Sequence, residues 1–184
     1  MKYIVSLFIL ISLAACQMGK FDRYPGKVQN AFPATMRGTY YFVIPAKFKS
    51  ATSGIKEGDT ILYVITENTI SVIDTAGKRT QKTLDKNQVL TLVEGKYYVV
   101  SARDKDYKKY WNCMVYEGDK KTLSIYPSID ETRKTSLHKY FGREFIGLNE
   151  SKDSVYAYKM DDKAFVNYFK KELKSDPIKL KRLN

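Results

Sequence analysis

Histidine, tryptophan and cysteine are nearly absent from this chain of 184 residues, which holds one His, one Trp and two Cys. With His138 alone, any Ser/His/Asp or Cys/His mechanism has to pass through it. Its neighbours Ser136, Leu137, Lys139 and Tyr140 form no nucleophile motif, and G-x-S-x-G does not occur. One histidine and one spare thiol cannot make a zinc tetrad. Gly77 and Lys78 lie in TAGKRT, but Val72 stands where a phosphate-cradling loop needs its first glycine. Acid pairs such as Glu94 and Glu117 have no spacing that selects them for glycoside hydrolysis. The pair Asp161 and Asp162 stands at an expected helix start, where capping accounts for it. The chain therefore reads as a non-enzyme with no metal and no cofactor, His138 lying on a surface or helix flank.

Long apolar runs are scarce as well. The one candidate is residues 3–15, YIVSLFILISLAA, which falls short of the roughly 20 residues a spanning helix requires. Lys2 precedes it and small residues close it, the layout of an export signal. Leu13, Ala14, Ala15 and Cys16 read L-A-A-C, which resembles the lipobox of bacterial lipoproteins. That resemblance implies cleavage before Cys16, a diacylglyceryl thioether on its sulfur and an acylated amino terminus. Two or three acyl chains, at roughly 0.8 kcal/mol per buried CH₂, hold far more firmly than one. Gln17 in place of an aspartate leans toward the outer membrane over the inner. The expected organisation is a signal peptide over 1–15, a lipidated N-terminus and flexible tether over 16–34, and one β-rich domain over 35–184.

Lipidation of Cys16 leaves Cys113 alone, which excludes an intramolecular disulfide; its setting in WNCMVY predicts burial. Net charge is +12, with lysine supplying most of the basic residues. Such a balance suits phosphate binding, but export directs it away from nucleic acid and toward a solvated surface and anionic envelope partners. The tail KKELKSDPIKLKRLN is a candidate for added membrane attachment.

From Gly38 onward, short runs rich in Val, Ile, Thr and Tyr alternate with Gly, Asp, Asn and Lys. This predicts antiparallel strands near 38–44, 60–66, 69–74, 88–93, 97–102, 109–116, 121–126 and 154–159. The fold class is mainly β with a minor α part: an antiparallel meander forming a barrel or strongly bent sheet. In the first clear hairpin an even loop pairs Ile65 with Ile70 and Tyr63 with Val72. In the second, placing Trp111, Cys113 and Val115 on the face of Leu123 and Ile125 requires an odd loop. Phe165, Phe169 and Leu173 recur every four residues, with Tyr168 beside them. They predict a C-terminal helix over about 162–174, capped by Asp161 or Asp162 and followed by a basic tail. A shorter helix or turn is expected within 132–141.

Fifteen tyrosines and nine phenylalanines remain to be placed. Inward rings either fill a core or line a cavity for a small apolar or sugar-like ligand, for which Tyr63, Tyr98 and Trp111 are the candidates. The opening Gly38-Thr39-Tyr40-Tyr41, followed by a meander and a late helix, resembles lipocalin-like bacterial lipoproteins, with Tyr40 where that family carries Trp. The resemblance implies an antiparallel barrel that binds a small apolar molecule, or its scaffold. The alternative is a solid-cored envelope protein that meets a partner protein or anionic glycan through its exposed sheet and basic surface.

Overall fold

The computed structural model describes residues 20–44, 58–119, 121–126, 134–148, 154–173 and 177–183. Cys16 lies outside them. The described chain forms one strongly curled antiparallel sheet, a half-barrel, with two short helices. Four strands run in sequential hairpins: β3 (Gly38–Val43), β4 (Thr60–Ile65), β5 (Thr69–Ile73) and β6 (Arg79–Thr83). Four more do the same: β7 (Gln88–Val93), β8 (Tyr97–Arg103), β9 (Trp111–Gly118) and β10 (Thr122–Tyr126). The two meanders are joined through the chain's end, because β13 (Ile178–Arg182) lies between β10 and β3. The segment expected as a basic tail is thus a sheet strand, and Leu180 is fully buried in it.

The stretch read as a tether is also built in from Lys20 on. β1 (Lys20–Phe21) runs parallel to β12 (Ser154–Tyr158) and meets β9 at Trp111. β2 (Lys27–Gln29) pairs with β7, while Phe32 and Met36 are fully buried. The flexible-tether expectation is therefore corrected for residues 20–34, which pair into the sheet as β1 and β2 and bury Phe21 and Phe32. β11 (Arg143–Leu148) forms the edge beyond β12.

The first hairpin has the expected pairing, Ile65 with Ile70 and Tyr63 with Val72. The second does not. Gly118 pairs with Leu123 and Tyr116 with Ile125, so the loop is even, and Leu123 shares a face with Tyr116 rather than with Cys113. The physical reason is that β9 is buried on both faces. Tyr116 faces the inside of the curl with Tyr40, Tyr63, Leu90, Leu123, Ile125 and Leu180. Cys113 and Val115 face outward into a second cluster with Phe21, Tyr97, Val99, Tyr126 and Phe169. A two-sided strand carries no single apolar face from which register can be read.

Both helices cover that outward face. α1 (Lys134–Tyr140) contributes Leu137, and α2 (Asp162–Tyr168) contributes Phe165, Val166 and Tyr168. α2 runs on as a π-helical turn over Phe169–Leu173, so the helical body matches its expected span and stripe. Asp161 caps it by accepting from the Ala164 amide at 2.7 Å. Asp162 instead binds the N-terminal segment, accepting from Arg23 Nη1 at 2.9 Å and from the Gly26 amide at 3.1 Å. Gly26 has φ +74°, and a Cβ there would stand 2.6 Å from the Leu92 carbonyl oxygen, so the close approach of β2 to β7 demands glycine.

Candidate functional site

The three ring candidates do not converge. Tyr63 points into the curl, where burial and the neighbouring Tyr116 raise its phenol pKa well beyond the ordinary value. Tyr98 is half-buried beside the same cluster. Trp111 is on the other face of the sheet, because its register partner is Arg103 while Tyr98 pairs with Tyr116. There it is held edge-on by Tyr24, at 5.0 Å between centroids, and stacked by Arg103 at 4.1 Å. Buried rings fill the inside of the curl.

A cleft of about 510 Å³ opens between β2, β7 and α2. Its walls are Gly26, Lys27, Leu92, Val93, Glu94, Asp162, Lys163 and Val166, without a single aromatic ring. Glu94 is engaged by Lys170 at 2.8 Å. Glu117 accepts from the Tyr126 hydroxyl at 2.8 Å. Among the described residues no group of three His, Cys, Asp or Glu side chains can hold a metal ion. His138 lies on α1, its ring against Tyr156 and Tyr158, with Arg143 donating to it. Cys113 is fully buried, and burial pushes its thiol up to about 12 despite the Ser101 hydroxyl donating to sulfur at 3.3 Å. In TAGKRT, Asp74 Oδ1 accepts from the Ala76 and Lys78 amides, an ordinary turn between β5 and β6.

Two arrangements stand out that pattern reading did not find. The first is a buried ion pair at the start of β1. Lys20 Nζ donates to Asp104 Oδ2 at 2.6 Å with both side chains under 8% exposed. Asn112 Nδ2 donates to the same oxygen, the amides of Asp106 and Tyr107 donate to Oδ1, and the Tyr107 ring lies 5.2 Å from Lys20 Nζ. Burial alone would raise the Asp104 pKa, but the hydrogen bonds from Lys20, Asn112 and the Tyr107 amide hold it below the usual carboxylate range. A buried charge is tolerated only when satisfied in this way. No local pattern marks Lys20, whose partner is 84 residues away.

The second is a half of the sheet's outer face that no helix covers among the described residues. Alternation along β3, β4 and β5 sends Tyr40, Ile61, Tyr63, Ile65 and Ile70 inward. Tyr41, Leu62 and Ile73 then form one cross-strand row on the outside, with Val64 in the next row and Val43 beyond. These four are half-buried and Val43 is 48% exposed. Lys181 is the register partner of Tyr41, and Lys179 lies on the same face, both exposed. The second row ends differently: Ser71 is covered by Arg79 and Gln81, which bond its hydroxyl. The result is an aromatic and aliphatic strip bordered by cations. Compared with known proteins, the chain matches no family model, no curated protein and no solved structure.

Proposed function

We propose that this chain is a lipid-anchored, non-catalytic module of a bacterial envelope, and that it contacts a partner protein through the bare outer face of β3, β4 and β5. The observation that carries the reading is the row Tyr41, Leu62 and Ile73, half-exposed beside Lys179 and Lys181 while the inner face of the same strands is filled. Apolar side chains in register, flanked by charge, suit a protein surface with an apolar centre and an acidic rim. An acidic glycan would engage the lysines and the Tyr41 ring but would leave Leu62, Val64 and Ile73 without partners.

Attachment rests on the lipobox-like Leu13-Ala14-Ala15-Cys16. Among the described residues no helix is long and apolar enough to cross a membrane. The alternative of a small ligand held between Tyr63, Tyr98 and Trp111 has less support, since the sheet itself separates Tyr63 from Trp111. The test is a photo-crosslinking residue at Leu62 or Ile73 in intact cells, with Asn87 as an exposed control. A discrete protein adduct at 62 and 73 and none at 87 is expected. No adduct, the same adduct at all three positions, or salt-sensitive retention of an anionic glycan in its place would overturn the protein-partner reading.

A further inference from the structure

The place where the chain emerges toward Cys16 sets which side of the molecule an anchor would draw to the membrane, and that side carries the second exposed apolar group. β1 is parallel to β12 with Lys20 beside Ala157. The chain therefore enters β1 from the end of β12 that begins at Ser154, which is the end where Leu148 pairs with Ser154. Leu148 stands two strand spacings across and three residues along from Lys20, about 14 Å away. Three residues separate Cys16 from Lys20, and the four steps between them span at most about 14 Å. Lys20 cannot drift to relax this limit, because its ammonium is locked on Asp104.

β11 is built to expose apolar side chains there. The pairing slips by one residue between Phe145, opposite Tyr156, and Gly147, opposite Val155. Phe145 and Leu148, three apart and otherwise on opposite faces, are both brought to the face of Ser154 and Tyr156. They are 56% and 55% exposed, the two most exposed large apolar residues among those described. The Phe145 ring packs on Tyr156 at 6.0 Å between centroids, and the Arg143 guanidinium lies 5.0 Å from the centre of the same tyrosine ring.

The neighbouring loop is basic. Tyr107 donates from its hydroxyl to the Leu148 carbonyl at 3.3 Å and ties the loop to the end of β11. Lys105, Lys108 and Lys109 of that loop are exposed, with Asp106 the one acid among them. On β11 itself Arg143 and Glu144 balance. Apolar side chains on one face of the β11 end, with a net positive loop tied to that same end through Tyr107 from the Gly147 face and within reach of an acylated cysteine, suit the interface of an anionic bilayer.

We infer that the β11 edge, through Phe145 and Leu148 with Lys105, Lys108 and Lys109, is the surface that rests on the phospholipid bilayer to which Cys16 is fastened. The inference depends on the lipid-anchor reading. It deepens that reading by giving the molecule one orientation. β4 lies five strand spacings from β1, about 24 Å along the curved sheet, so the bare face of β3 to β5 is held away from the lipid and open to a partner.

The test uses the full chain, processed in cells and reconstituted into vesicles of phosphatidylcholine with one third phosphatidylglycerol, their acyl chains brominated. Phe145→Trp and Leu148→Trp are compared with Val43→Trp, each against the buried Trp111 background. Quenching at 145 and 148 at least twofold stronger than at 43 is expected, weakening when Lys108 and Lys109 are changed to Glu. Intact mass of the same samples reports acylation. An acylated chain with equal quenching at the three positions overturns the orientation and leaves the anchor standing; a chain without acyl groups on Cys16 overturns both.

Discussion

The outer face of the curled sheet has two halves with opposite fates. Over β8, β9 and β12 it is roofed by α1 and α2 and holds rings packed edge to face, such as Phe169 against Tyr97 and Tyr126 at 4.7 and 4.8 Å. Over β3, β4 and β5 the same outward alternation leaves Tyr41, Leu62, Val64 and Ile73 half in water. The inner side chains of β3, β4, β5, β8 and β9 belong to one buried cluster. The difference is that, among the described residues, outward side chains are packed against helices in one half alone, and the other half leaves apolar side chains at the surface.

Substitutions in the roofed half test that contrast most severely. Phe169→Ala removes a ring that is 1% exposed and touches two others, and a loss of about 4 kcal/mol is expected. The urea midpoint measures it; a loss below about 1 kcal/mol would mean the helical roof is ornamental.

Next is the ion pair that anchors β1 under the same half. Asp104→Asn leaves the buried Lys20 ammonium without its counter-charge and is expected to cost about 3 kcal/mol. Because the Asp104 carboxyl is held below its usual range in the folded protein, its contribution is present above the unfolded value near 3.9. It is lost as pH falls through the lower, folded value. Urea midpoints should therefore drop more steeply as pH falls below about 4 in the wild type than in Asp104→Asn. Parallel curves would show that the pair is not coupled to folding.

Cys113 gives a kinetic version of the comparison. With its thiol pushed up to about 12 and no exposed surface, alkylation at pH 8 should be slower than for a free peptide thiol by at least about a thousandfold. The rate should rise with urea in step with global unfolding. Fast labelling in native buffer would mean that the roof opens locally.

On the bare half, Leu62→Thr should change stability by only about 0.5 kcal/mol while abolishing the crosslink formed at Ile73. A larger stability loss with an intact crosslink would assign the strip to folding instead of contact.

Much of this architecture was legible from alternation alone. The eight expected strands correspond to β3, β4, β5, β7, β8, β9, β10 and β12 with ends shifted by at most two residues, and the aromatic stripe of α2 was plain in its spacing. What escaped has physical reasons. β6, read Arg-Thr-Gln-Lys-Thr, is a polar edge strand with no apolar face. β13 alternates Ile, Lys, Leu, Lys and resembles a basic tail until long-range pairing places it. The register of β9 was hidden by its burial on both sides. Lys20 could not be distinguished from a solvated lysine, because Asp104 defines it only in three dimensions. Trp111 shares aromatic character with Tyr63 and Tyr98, and a residue type carries no information about which face of a two-sided sheet it occupies.

The anchor is the premise on which the orientation and the partner-facing half both depend, and the mass of the protein recovered from bacterial membranes measures it directly. We predict a chain that begins at Cys16, lacks residues 1–15 and carries a diacylglyceryl group with an added N-acyl chain. A mass that retains the first fifteen residues, or an unmodified Cys16 sulfur, would contradict it.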